Sequence, residues 1–334
     1  MSEIIKQQAP LILEEIKKAK NILLHCHPHP DPDSVGSVLA IKFALEQLGK
    51  KVTAIQGDNE IPEAFDFPGV ETIIKKAYGE INTNEFDLFI ILDSSTPNMV
   101  SFKTPVTFPE SMKTIVIDHH VNNEKYGTIN CVDSSYPATA QILFDLFREI
   151  GIKLNHDIAL NLFMGIYTDT GAFKYGGVTP ATFAAASELV SLAPDFVKTI
   201  SIMENSNTKE KFIFVSLALA SLKTYFSDRL AVAYVTKKQF DDHGLNGEEY
   251  SPSEISSLLR TVKNFDISIC FIEFPDGKAR ISSRSKDSVR FDVSKLAVAF
   301  GGGGHKGAAG ATIDLPLAEA IDKVVKTAEE LYNF

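Results

Sequence analysis

The stretch His25-Cys26-His27-Pro28-His29-Pro30-Asp31-Pro32-Asp33 directly follows the apolar run Ile22-Leu23-Leu24. Prolines at 28, 30 and 32 remove backbone donors and fix φ, so these residues are expected to form a stiff, extended loop leaving a strand. Side chains alternate along extended backbone, which predicts that Asp31 and Asp33 point the same way with His27 an even step behind. Two adjacent carboxylates repel unless a cation lies between them, and imidazole with carboxylate is a common ligand mixture. The stretch therefore reads as a metal site at the end of a first strand. The plainer alternative is a polar, proline-rich loop that happens to be rich in histidine.

Working outward, Ile5, Ile12 and Ile16 fall at helical spacing, and Pro10 predicts a broken or short helix before the strand. Beyond the loop, Ser34 is placed to cap a helix that buries Val35, Leu39, Phe43 and Leu48 and ends at Gly49. Lys51 to Gln56 reads as the next strand. Strand, helix and strand make a βαβ unit, which implies a parallel sheet covered by helices on both faces. The apolar run Leu88 to Leu92 stops at Asp93, and Thr114 to Ile117 runs into Asp118-His119-His120. In open α/β sheets ligands gather beyond the carboxyl ends of the strands, so three strands should deliver imidazoles and carboxylates to one edge. Asp93 taken singly is more often a turn residue or helix cap.

Helical patterns fill most of 139–192. One helix buries Ala140, Leu143, Phe147 and Ile150 before Gly151, and the next runs through Ile158, Leu162, Phe163 and Ile166 into Asp169. Pro180 can start a third, ending near Leu192. The pattern changes around Ala193-Pro194-Asp195, which sets a first domain at 1–192, a linker at 193–208 and a second domain at 209–334. Strands expected at Leu230–Val235, Ile267–Phe274 and Lys278–Ser283, with helices near Ser253–Val262, Asp292–Phe300 and Leu315–Leu331, make the second domain a smaller α/β unit with a mixed sheet. In it, Gly301 to Gly304 allow close backbone approach to an anion, and Arg284 offers a planar fork. A flexible linker and a solvated arginine are the alternatives. The aromatics Tyr175 and Phe291 read as packing residues.

The chain has 334 residues, 44% of them hydrophobic, enough for two cores, and carries a formal charge of −10. That charge argues against coating long nucleic acid with a broad basic face, although bound metals can reverse the local sign for a small anionic substrate. No run approaches the roughly 18 apolar residues of a membrane span, and the polar opening MSEIIKQQAP lacks a secretory pattern. Cys26, Cys131 and Cys270 are widely spaced, which suits a reducing cytoplasm.

Taken in order, His27-xxx-Asp31-x-Asp33, Asp93 after a strand, Asp118-His119-His120 and Asp169 in GIYTDTG resemble the four motifs of the DHH phosphoesterases, and the GGGGH segment resembles the signature of the associated DHHA1 domain. The likeness spans essentially the whole chain. HPDPDSVGS, TDTGAF and FGGGGHKGAAG look most like the nano-RNase and 3′-phosphoadenosine-5′-phosphate (pAp) phosphatase branch. The lysine-rich signature of family II pyrophosphatases is not found. The resemblance implies a doubly wound, mostly parallel N-terminal sheet and a cleft between the domains. It implies two divalent cations, most naturally manganese: His27, Asp31 and Asp93 around one, and Asp33, Asp93, His119 and Asp169 around the other. Asp118 would orient a ligand histidine and His120 would face the substrate phosphate. Arg284, Gly302, Gly303, Gly304 and His305 would grip the substrate's other end. The implied reaction is hydrolysis, by an activated water, of short oligonucleotides or of pAp to AMP. Polyphosphate or pyrophosphate hydrolysis and cyclic dinucleotide cleavage are the alternatives within enzymes. A silent nucleotide-binding regulator is the alternative outside them, but it should have lost ligand types and none is altered. Cleavage polarity, the metal used and a homodimeric state stay open.

Overall fold

In the computed structural model, which describes residues Met1–Phe334, the chain divides into two compact units, Met1–Ser206 and Asn207–Phe334. The first unit opens with helix α1 (Glu3–Lys18) and strand β1 (Asn21–His25), followed by α2 (Pro32–Gln47) and β2 (Lys51–Ile55). Three further strands, β3 (Leu88–Leu92), β4 (Lys113–Asp118) and β5 (Ile129–Val132), complete a sheet of order β2-β1-β3-β4-β5. Every pairing in it is parallel. Helices α3 (Thr139–Ile150), α4 (His156–Asp169), α5 (Pro180–Leu192) and α6 (Phe196–Glu204) follow.

Alternation along the strands builds two apolar layers. Ile22, Leu24, Leu88, Ile90 and Ile115 pack with residues of α1 to α5 in the larger core. Leu23, Phe89, Ile91 and Val116 point the other way and meet Tyr78, Val100 and Met112 from the β2–β3 and β3–β4 connections. Those connections hold only short 3-10 turns. Helices therefore cover one face and loops cover the other, where helices on both had been expected. Pro10 does not break α1 either: the helix runs through it, its buried face of Ile5, Ala9, Ile12 and Ile16 supplying the packing that offsets one lost backbone bond. Strand β5 has half of its residues only partly buried and escapes a search for apolar runs. The stretch expected as a linker carries α6.

In the second unit come α7 (Lys209–Ala220), β6 (Lys223–Tyr225), β7 (Leu230–Val235), α8 (Lys237–Asp242), α9 (Pro252–Leu259), β8 (Ile267–Glu273), β9 (Ala279–Ser285), α10 (Val293–Val298), β10 (Gly303–His305), β11 (Ala308–Ile313) and α11 (Leu317–Tyr332). Its sheet has the order β10-β11-β9-β8-β7-β6 and is mixed, with β7 and β8 parallel and the other pairs antiparallel. Leu230, Val232, Ile269 and Phe271 pack on α10 and α11, while Ala231, Ala233, Cys270 and Ile272 pack on α7 and α9.

Candidate functional site

The carboxyl ends of β1, β3 and β4 and the end of α4 bring His27, Asp31, Asp33, Asp93, His119, His120 and Asp169 together. Three overlapping groups, His27/Asp31/Asp93, Asp33/His119/Asp169 and Asp93/His119/His120, each have their ligand atoms within 4.8 Å of one another. Asp93 stands in the middle. Its Oδ2 lies 3.5 Å from His27 Nε2 and its Oδ1 lies 3.6 Å from His119 Nε2, so one carboxylate faces both sides. The residue follows β3 with φ 52°, a left-handed turn that aspartate tolerates better than most side chains.

The local geometry differs from the extended loop expected of the proline-rich stretch. Asp31 is the N-cap of α2 and Pro32 its first residue, so Asp33 lies in the first helical turn rather than one even step along a strand. Asp31 Oδ1 accepts from the Ser34 N–H (2.9 Å), while Oδ2 faces His27 Nε2 at 3.3 Å. Ser34 is not the cap; its hydroxyl accepts the His27 N–H at 3.0 Å and closes the loop. Asp31 and Asp33 consequently belong to different groups of the cluster.

Asp33 is fully buried, and its oxygens accept the N–H groups of Thr139 (2.7 Å) and Ala140 (2.9 Å). Ala138 gives α3 no side-chain cap, so a carboxylate from α2 caps it across more than a hundred residues of chain. The Thr139 hydroxyl donates to Asp93 Oδ1 at 3.0 Å. Thr139 escaped sequence reading; the available signal was a helix start after Pro137-Ala138 with no capping side chain of its own. His119 Nδ1 lies 3.3 Å from the Tyr136 carbonyl, which aims Nε2 at Asp169 Oδ2, 3.1 Å away.

Asp118 is expected beside a ligand histidine but takes His120 instead: its Oδ1 lies 2.7 Å from His120 Nδ1 and touches His119 only through the backbone N–H. The short strand-to-loop turn decides this, because the side chain two residues on folds back over Asp118 whereas His119 points across the cluster. Asn123 donates to Asp118 Oδ2 at 2.6 Å and was likewise missed.

Burial and mutual repulsion dominate the electrostatics. Burial raises the Asp33 carboxyl well above its ordinary range, and the charges of Asp93 and Asp169 add to the rise. Its two backbone donors act in the opposite sense. Burial also raises Asp169, with Asp93 adding and His119 opposing. For His27 burial works to lower the pKa, but hydrogen bonds and charge from Asp31 and Asp93 prevail and lift it to about 10. His119 reaches about 10 by the same contest against Asp169, Asp93 and Asp33. A set of carboxylates that pulls protons onto its own imidazoles has an excess of negative charge. Four carboxylates with two neutral imidazoles match two divalent first-row cations in charge and ligand type.

The remaining expected contacts lie in the second unit. Arg284 sits within β9, where Nε meets Ser257 Oγ (3.1 Å) and Nη1 meets Ser282 Oγ (3.0 Å) and the Ser283 carbonyl (3.1 Å). Gly303 and Gly304 do not form the flexible linker that was the alternative reading. Gly303–His305 is an edge strand folded antiparallel on β11. A Cβ on Gly302 would fall 2.1 Å from the Gly310 carbonyl, which is why glycine stands there. His305 is exposed.

Residues 21–166 match the DHH family, N-terminal domain, and residues 227–333 match the DHHA1 domain. The chain belongs to the DHH phosphoesterase family. This DHH protein is 28% identical over 324 residues to the bifunctional oligoribonuclease and PAP phosphatase NrnA of Thermus thermophilus, covering 96% of this chain and 93% of that one. Its fold matches the crystal structure of an exopolyphosphatase-related protein from Bacteroides fragilis with a TM-score of 0.88 at 24% identity, over 98% and 96% of the two chains. RecJ from Thermus thermophilus in complex with Mn2+ shares the fold more distantly, with a TM-score of 0.51 and 15% identity, over 99% of this chain and 54% of that one.

Proposed function

We propose that this DHH protein hydrolyses short oligonucleotides, from dinucleotides to about pentamers, and pAp to AMP, with two divalent cations, most naturally manganese. The observation that carries the reading is the meeting of six side chains from separate segments around Asp93. His27, Asp31 and Asp93 would hold one cation, and Asp33, Asp93, His119 and Asp169 the other, with one Asp93 oxygen turned to each. Bound there, the cations would supply a water of lowered pKa and neutralise the phosphoryl oxygens. The protein's own groups do the rest. Thr139 and the start of α3 hold Asp93 and Asp33, and Asp118 turns His120 so that Nε2 is the nitrogen left for the substrate phosphate or the leaving oxygen. In the second unit, Arg284, Gly302, Gly303, Gly304 and His305 are the groups we propose as substrate contacts.

The printed activities of the Thermus NrnA relative, matched over nearly the full length of both chains, support the substrate class. A net charge of −10 favours short substrates over long strands. No helix is long and apolar enough to cross a membrane, and the three cysteines are unpaired and buried, in keeping with a cytoplasmic enzyme. Side-by-side assays of pAp, a dinucleotide, cyclic di-AMP and polyphosphate with manganese test the reading. Turnover of pAp and the dinucleotide should lead and should vanish in a folded Asp93→Asn variant. Faster turnover of polyphosphate than of both, or near-normal turnover by Asp93→Asn, would overturn it.

A further inference from the structure

Beside the acidic cluster, three loops of the first unit are laced together around an exposed pair of rings. His29 lies between His27 and Asp31, so its Cα is within about 7 Å of each along the chain. Its imidazole meets the Phe102 ring with centroids 5.5 Å apart and planes tilted by 47°. The Asn59 amide donates to His29 Nδ1 at 2.5 Å. Phe102 is 56% exposed and belongs to neither apolar core of its unit.

The ring is nevertheless held in place. Asp58 accepts from the Ser101 hydroxyl (2.8 Å), the Phe102 N–H (2.6 Å) and the Lys103 N–H (3.1 Å), and the Lys103 ammonium donates to the Asp58 carbonyl (2.6 Å). The Asn59 N–H donates to the Pro28 carbonyl at 3.1 Å. Gly57 sits so close to the His27 carbonyl that a Cβ would fall 2.2 Å from it. This lacing fixes the loop of Phe102 to the loop that carries His27 and Asp31. A phenylalanine anchored by its backbone, yet presented to solvent, is a surface made ready for a flat apolar partner.

We propose that His29 and Phe102 form a stacking platform for a nucleobase of the substrate; the inference rests on the nucleotide reading of the neighbouring cluster. A base suits the place because it is uncharged, so the carboxylates nearby do not repel it. Stacking on an aromatic face is also tolerant of base identity, as an enzyme acting on short chains of any sequence requires. Asn59 adds a polar group at the edge of the His29 ring.

The test compares a dinucleotide with the same phosphodiester joining two riboses that carry no bases, for wild type, Phe102→Ala and Phe102→Trp. Phe102→Ala should lower the ratio of kcat/KM for the dinucleotide over the base-free ester on the order of tenfold, mainly through KM, and Phe102→Trp should restore it. A ratio unchanged in Phe102→Ala while wild type cleaves the dinucleotide would overturn the platform and leave the phosphoesterase reading intact. A wild type that cleaves the base-free ester but neither the dinucleotide nor pAp would overturn both.

Discussion

Asp93 and Asp31 divide their oxygens between holding a neighbour or the backbone and facing the cluster, whereas both oxygens of Asp33 accept backbone N–H groups of α3, and that arrangement was only partly legible in the sequence. Residue types and order pointed to the set, because imidazoles and carboxylates at strand ends are few. The partners were not legible: Thr139 and Asn123 act through contacts that join segments far apart in the chain, and no spacing rule reports those. The same is true of Asp118, whose choice of His120 over His119 depends on how one turn folds back. The electrostatics carry a prediction. With His27 and His119 each held at about 10, both rings carry a proton at neutral pH and must release it to act as ligands. Manganese binding at pH 7 should therefore expel protons and tighten as pH rises. Calorimetry in two buffers of different ionisation enthalpy should give different apparent heats, and equal heats would contradict protonated imidazoles in the metal-free cluster.

At the level of elements, the start of α3 and the crossing of α2 with α4 position the cluster. Gly165 lies one helical turn before Asp169, and a Cβ there would fall 2.6 Å from Asp33 Oδ1 and 2.7 Å from the Ala140 side chain. Gly36 is pressed against the same helix, 2.4 Å from the Asn161 carbonyl by the same construction. Both substitutions to alanine should cost about 1–3 kcal/mol of stability through overpacking. Gly165→Ala should in addition weaken manganese binding on the order of tenfold or more, because it displaces a carboxylate held by α3. Thermal melts and titration of the metal separate the two effects; wild-type affinity in Gly165→Ala would contradict them. The apolar strands and the long helices were legible from their runs and periodicity. What misled was proline: Pro10 inside α1 and Pro32 at the first position of α2 carry the same residue type with opposite local meanings, and only packing and capping decide between them. Short, exposed edges such as β6 and β10 give no apolar run to read.

Across the whole molecule, a wholly parallel sheet is followed by a mixed one, and the compact units divide after Ser206, so that α6, which composition hid, belongs to the first. Asp195 just ahead of α6 bonds His156 at the start of α4, which ties that stretch to the first unit. An acidic chain keeps its concentrated negative charge at one rim of its first sheet, where divalent cations would turn a repulsive site into one that accepts phosphate. Anomalous diffraction from crystals soaked in manganese addresses this directly. Two peaks roughly 3.5–4 Å apart should flank Asp93, one against His27 and Asp31 and the other against Asp33, His119 and Asp169. A single peak elsewhere, or none with the carboxylates still in place, would contradict it.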